Sequence, residues 1–170
     1  MKILYPLSLI LLLTISNLFA FDGKREGFIF GGGIGSGHLS QSTESNIVFL
    51  TNFKIGYAPS NTLEIFYISK VSWWGASDGD LVILGLGAVA ATFYLDNTSE
   101  TGWFASGGIG YSNSGRPLGN GNSDFGLGFF GGGGYEFAPH WSVEVDLLHS
   151  TIEKSISSFG VLVSINVLGF

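Results

Sequence analysis

From residue 27 onward apolar and polar positions exchange along the chain. In Trp141-Ser142-Val143-Glu144-Val145-Asp146-Leu147 they alternate at every step, so one face carries Trp141, Val143, Val145 and Leu147 and the other Ser142, Glu144 and Asp146. Phe53, Ile55 and Tyr57 oppose Asn52, Lys54 and Gly56 in the same way, and Leu63-Glu64-Ile65 opens a further run. Successive side chains of an extended strand point to opposite faces, so a period of two marks a strand with one apolar face. A helix would need apolar residues every three or four positions, and glycine at this density would weaken it. Strand-like segments cover 27–38, 47–58, 62–74, 81–95, 101–112, 124–138, 140–150 and 158–170. Short breaks at 59–61, 96–100 and 138–139 alternate with longer ones at 39–46, 75–80, 113–123 and 151–157. This rhythm predicts an all-β fold of eight antiparallel strands running up and down, with both termini on the short-turn side.

The first twenty residues read differently. Lys2 supplies a positive charge, Ile3–Ile15 is an apolar run interrupted only by Pro6, Ser8 and Thr14, and Ser16-Asn17 leads into Leu18-Phe19-Ala20. This is the layout of a secretory signal peptide over residues 1–20, cleaved after Ala20, although Leu18 stands where a small residue is preferred. An uncleaved membrane anchor is the alternative. The mature part, 21–170, has the length of one domain.

Composition turns the strands into a membrane barrel. Hydrophobic residues make up 45% of the chain and charged ones 12%, where about 25% charged is usual for soluble domains. Beyond the leader no apolar stretch approaches the ~20 residues of a membrane helix, so the apolar surface is dispersed over strands. An eight-stranded antiparallel transmembrane β-barrel accommodates this, its outer face meeting lipid and its inner face not. Tyr57, Tyr94, Trp103, Tyr135 and Trp141 flank the short turns on the parity of the apolar face, and Trp73, Tyr111 and Phe159 lie near the longer loops. They are read as two aromatic belts at headgroup level.

The signal peptide, the eight-strand rhythm and the final Leu168-Gly169-Phe170 together resemble the small outer-membrane barrels of the OmpA, OmpX and opacity-protein type, a porin-like β-barrel domain, over residues 26–170. The resemblance implies residence in a bacterial outer membrane among lipid and lipopolysaccharide, a monomer, and a terminal Phe170 read by the barrel-insertion machinery as an assembly signal. Val161, Val163, Ile165 and Val167 share one phase, whereas Leu168 and Phe170 fall in the other. A bulge near Val167 would let Phe170 face lipid.

Candidate chemistry adds little to this picture. Gly126-Leu127-Gly128-Phe129-Phe130-Gly131 satisfies a dinucleotide pattern with Asp146 twenty residues on, but it lies within a strand and no helix follows, so no cofactor is expected. The glycine runs are read instead as room for large inward groups, with Phe66, Phe104 and Phe130 as candidates. Lys54, Glu64, Lys70, Glu136, Glu144 and Asp146 are expected to face the lumen and to pair across it, because an unpartnered buried charge is costly. His149, Ser150 and Glu153 lie together, and some small outer-membrane barrels are lipid A deacylases with a His, Ser and Glu set. Adjacent strand residues point apart, so no catalytic set is assigned. His38 and His140 are isolated, Asp78-Gly79-Asp80 and 119–122 lack a calcium-loop pattern, and no metal is expected. Without Lys2 the six remaining basic residues (seven less one) face thirteen acidic ones, a net charge of −7, which disfavours nucleic acid as a partner. The functional expectation is a non-enzymatic barrel with a plugged lumen and a structural or surface-interaction role. The alternatives are a narrow pore for small or apolar solutes and, behind it, a lipid A-modifying enzyme.

Overall fold

The computed structural model describes residues 25–41, 44–76, 79–96, 101–117, 123–152 and 156–170. They form β1 (Gly27–Gln41), β2 (Glu44–Ser60), β3 (Leu63–Gly75), β4 (Leu81–Tyr94), β5 (Gly102–Gly115), β6 (Asp124–Ala138), β7 (Trp141–Ile152) and β8 (Ile156–Gly169). Each strand pairs with its sequence neighbours, and β8 returns to pair antiparallel with β1, which closes the barrel. Closure removes the open edges that a flat sheet would present to other chains. The expected leader at 1–20 lies outside the described residues.

The ladder fixes which side chains face inward. Paired residues lead from Leu39 through Gly160, Leu148, Phe130, Gly108, Ala90, Phe66 and Gly56 back to Ile29 on β1. One circuit is therefore displaced by ten residues along β1 (39 less 29), and a stagger of this kind requires strands tilted to the barrel axis. Ladder pairing explains several glycines. Phe66 is paired with Gly56, Phe104 with Gly134 and Phe130 with Gly108. A Cβ on Gly108 would stand 2.8 Å from the Phe130 ring, and one on Gly134 2.5 Å from the Phe104 ring. Each inward phenylalanine thus lies over a position with no side chain, as large-beside-small packing in a narrow barrel demands.

Among the described residues register slips only at the short-turn end, between Tyr57 and Ser60 beside Pro59 and between Glu136 and Ala138 beside Pro139. Proline cannot donate to a ladder, which accounts for Pro59 within β2; Pro139 lies in the turn that follows the second irregularity. His140 closes the second turn at φ 70°, a left-handed conformation few non-glycine residues adopt.

Two expectations need correction. Strands run into the longer breaks at 39–46, 113–123 and 151–157: among the described residues Ser40 pairs with Ser45, Gln41 with Glu44, Ser114 with Asp124 and Thr151 with Ser157, while β5 ends at Gly115. Polar residues resemble loop in a sequence, but a ladder needs only backbone groups and continues through them. The last strand also keeps one phase, with no bulge near Val167. Val161, Val163, Ile165 and Val167 point outward, while Ser164, Asn166, Leu168 and Phe170 are buried inside. Phe170 and Leu168 pack with Ile29 and Ala58 into a small apolar cluster.

Candidate functional site

Half of the lumen, toward the short turns, is polar and ionised. Strand alternation points Lys54, Glu64, Lys70, Glu136, Glu144 and Asp146 inward, and all six are buried. Lys70 on β3 reaches across to β7, with Nζ 2.5 Å from Asp146 Oδ2 and 3.9 Å from Glu144 Oε1. Glu144 also accepts the Ser106 hydroxyl at 2.8 Å and the Asn166 amide at 3.1 Å. Asn52 in turn donates to Asn166 Oδ1 at 2.8 Å. Lys54 Nζ lies 3.8 Å from Glu64 Oε2, and the Tyr94 hydroxyl donates to Glu64 Oε1 at 3.0 Å. Nearest the short turns, Arg25 Nε meets Glu136 Oε2 at 2.7 Å while the His140 backbone N–H donates to Oε1 at 3.0 Å. Each cation also stands over a ring: Arg25 over Tyr94 at 4.1 Å, Lys54 over Phe66 at 4.2 Å and Lys70 over Phe130 at 4.7 Å. Guanidinium and ammonium groups are drawn to aromatic faces, so the phenylalanines that fill the barrel also offset part of the charge-burial cost.

Arg25 is the main residue that the alternation did not reveal. It precedes β1 and belongs to no periodic run, yet two lysines set against four inward carboxylates signal that a third cation is needed. Asn52 was legible on the polar face but not as a member of the network, and Ser106 and Asn166 drew no reading as inward partners.

The other half of the lumen, toward the longer loops, is mainly apolar, with the hydroxyls of Ser72, Ser112, Ser150 and Ser158 buried in it. Leu39, Val48, Leu50, Ile68, Trp74, Leu84, Leu86, Leu148, Ile152 and Leu162 form one buried cluster there with Phe66 and Phe130. Alternation concealed this layer, because both faces of 81–91 are apolar or glycine and no contrast marks the inward one.

On the outside, exposed apolar side chains occur on all eight strands, among them Phe30, Phe53, Ile65, Val89, Ile109, Phe129, Val145 and Val163. Tyr57, Trp103 and Trp141 point outward at the short-turn end, and Tyr135 packs there against Trp103, ring centroids 5.0 Å apart. Near the longer loops Tyr111 and Phe159 are exposed, and Trp73 faces outward with its indole N–H donated to Thr51 Oγ1 at 2.9 Å. The Tyr67 and Tyr111 hydroxyls meet at 3.1 Å. Tyr94 departs from its expected place in a belt: it is 4% exposed and lies inside. Its parity was ambiguous in the sequence because β4 has two apolar faces, and the Glu64 carboxylate and Arg25 guanidinium give its hydroxyl and ring their partners.

His149 packs outward against Phe129, ring centroids 5.1 Å apart, while Ser150 is fully buried in the lumen. The two therefore stand on opposite sides of the wall and cannot form a nucleophile–base pair; Glu153 lies outside the described residues. His38 Nε2 and Ser45 Oγ are 2.9 Å apart on the exposed exterior. Asp80 pairs with Arg116 at 2.8 Å across two loops; Asp78 and 119–122 lie outside the described residues. Among the described residues, no three His, Asp or Glu side chains converge on a possible metal position.

No family model matches the sequence, and no curated protein matches it. Solved structures do share the fold. Neisserial surface protein A superposes with a TM-score of 0.60 at 16% identity, over 83% of this chain and 96% of that one. Ail, the attachment invasion locus protein of Yersinia pestis, superposes with a TM-score of 0.57 at 10% identity, over 84% of this chain and 99% of that one. The chain thus has the closed eight-stranded antiparallel barrel fold of these proteins.

Proposed function

We propose that this chain is an integral outer-membrane barrel with a closed lumen, and that it acts as a structural or surface-contact protein rather than as a diffusion pore. The observation that carries the reading is the filling of the interior. Paired charges occupy the half toward the short turns, and an apolar cluster containing Phe66, Phe130 and Trp74 occupies most of the rest. An ion crossing this barrel would have to leave water for an apolar layer, which costs far more than thermal energy.

Membrane residence is supported by the apolar exterior. Faces rich in exposed Phe, Ile, Leu and Val would be an aggregation hazard in water and are the expected surface against hydrocarbon. Tyr57, Trp103, Tyr135 and Trp141 would mark the headgroup level at the short-turn end, and Trp73, Tyr111 and Phe159 the level opposite. Residues 1–20 would be the export leader. A barrel closed by β1 on β8 leaves no strand edge unpaired, so one chain suffices. With the interior filled, the rim carrying Gln41, Glu44, Asp80, Arg116 and Asp124 is the part left to meet partners outside the membrane. The structural neighbours named as a surface protein and as an attachment protein share the eight-stranded barrel fold.

Planar-bilayer recording on the refolded mature chain tests the proposal. No steady single-channel current is expected, and a reproducible open level would remove the closed-lumen reading in favour of a narrow pore.

A further inference from the structure

We propose that the outer wall carries an acyl-transfer site at the loop end of β1 and β2, with Ser45 as nucleophile and His38 as general base, acting on carboxylic esters of membrane lipids. His38 Nε2 and Ser45 Oγ stand 2.9 Å apart, with both side chains exposed on the outside of the barrel. This is the separation of a nucleophile from the base that takes its proton. With the imidazole proton on Nδ1, Nε2 accepts the Ser45 O–H. Strand register creates the pair. Ser40 is paired with Ser45 and His38 with Ile47, so His38 and Ser45 are diagonal neighbours on one face.

Acyl transfer also needs donors for the oxyanion, and the backbone supplies them. The Ser36 hydroxyl on β1 donates to the Val48 carbonyl at 3.0 Å, so Val48 turns its polar groups toward β1. Successive residues of an antiparallel strand turn to alternate neighbours, so those of Ser45 and Ile47 turn toward β3. The β2–β3 ladder begins only at Phe49 and Trp73. Above that closed wall the N–H groups of Ser45 and Ile47 have no ladder partner among the described residues, and the Ser45 amide lies beside its own hydroxyl.

The surroundings point to a lipid substrate. Phe159 is paired with Ser40, Val161 with His38 and Trp73 with Phe49, and Ile47 is 80% exposed. Ile47, Phe49, Val161 and Val163 continue from the pair along the apolar outer face, a bed for an acyl chain. Ser45 Oγ would attack the ester carbonyl carbon as His38 takes its proton. The carbon–oxygen bond to the alcohol breaks, and the alcohol leaves with that proton. Water then cleaves the acyl-serine, with His38 again as base, to release the fatty acid and restore Ser45. His38 has no carboxylate partner among the described residues. An imidazole without an orienting acid is a poorer catalyst, so turnover is slow and the modified serine is the state to seek.

The choice of a lipid ester rests on the outer-membrane placement proposed above. Outer membranes from cells expressing the full chain are treated with a long-chain fluorophosphonate, and the modified residue is found by mass spectrometry. Ser45 should be modified, and the rate should fall by about a hundredfold or more in His38→Gln. His38→Phe, which suits a lipid-facing wall, serves if that variant does not insert. An inserted, heat-modifiable barrel left unmodified at Ser45, or modified equally fast without His38, overturns this inference alone; a chain absent from the membrane overturns the placement. Vesicles of phospholipid, with or without lipopolysaccharide, then identify the ester by the fatty acid released, and release should be lost in Ser45→Ala. Modification of Ser45 with no fatty acid from either vesicle overturns the lipid substrate.

Discussion

Replacing Lys70 by methionine should be among the most damaging single changes in this barrel. Lys70 is 1% exposed and holds Asp146 at 2.5 Å. Methionine keeps most of the volume of the lysine stem, so packing against Phe130 is largely retained and the loss is electrostatic. Glu144 keeps the Ser106 hydroxyl and the Asn166 amide, so the penalty falls mainly on Asp146. Removing one member of a buried ion pair costs about 3–5 kcal/mol, because the remaining charge is stranded, whereas replacing both members is often close to neutral. Lys70→Met alone should therefore lose about 3–5 kcal/mol, and the double variant Lys70→Met/Asp146→Asn should recover at least half of that loss. The assay is urea unfolding of the barrel refolded in lipid, followed by tryptophan fluorescence and heat-modifiable gel mobility, with the denaturant slope checked for constancy. A loss below about 1 kcal/mol for Lys70→Met, within reach of ordinary substitutions, would refute the reasoning. So would a double variant as unstable as the sum of its parts.

Two further substitutions address residues on either side of the wall. Tyr94→Phe removes one hydrogen bond to the buried Glu64 carboxylate and should cost about 1.5–3 kcal/mol in the same urea assay; an unchanged midpoint would return Tyr94 to the headgroup belt. Val163→Lys places a charge on the outward face of β8 and should cost about 2–4 kcal/mol in lipid, whereas a change within about 0.5 kcal/mol is what a water-exposed surface would give.

How far the sequence foretells this structure depends on contrast between neighbouring residues. On β7, Trp141–Leu147 alternates without a fault, and the ladder places Glu144 and Asp146 in the lumen and Val143 and Val145 outside. Lys54, Glu64 and Lys70 become legible as inward groups for the same reason. On β4 the contrast disappears. Leu84, Leu86 and Ala88 face inward while Ile83 and Val89 face outward, so periodicity reveals neither the apolar layer nor the inward turn of Tyr94. Arg25 lies beyond the reach of periodicity altogether, since it enters the lumen from the segment before β1. Phe170 shows the opposite failure. Its phase follows directly from Val161–Val167, and only the expectation of a lipid-facing terminal residue suggested a bulge. At Ser40–Ser45 and Thr151–Ser157 composition misled, because strands that extend past an apolar zone have no need of apolar side chains to stay paired.

Adjacent tryptophans give the most direct test of a lipid-facing wall around a filled interior. Trp73 points outward near the longer loops, whereas Trp74 is 7% exposed and belongs to the apolar cluster in the lumen. Variants retaining one tryptophan each, the other three replaced by phenylalanine, can be refolded into vesicles of lipids brominated at shallow or deep acyl positions. Trp73, Trp103 and Trp141 should be strongly quenched by shallow bromines and less by deep ones, and Trp74 should be quenched least. Quenching of Trp74 equal to that of Trp73, or no quenching at any of the four, would contradict a lipid-facing wall around a filled interior.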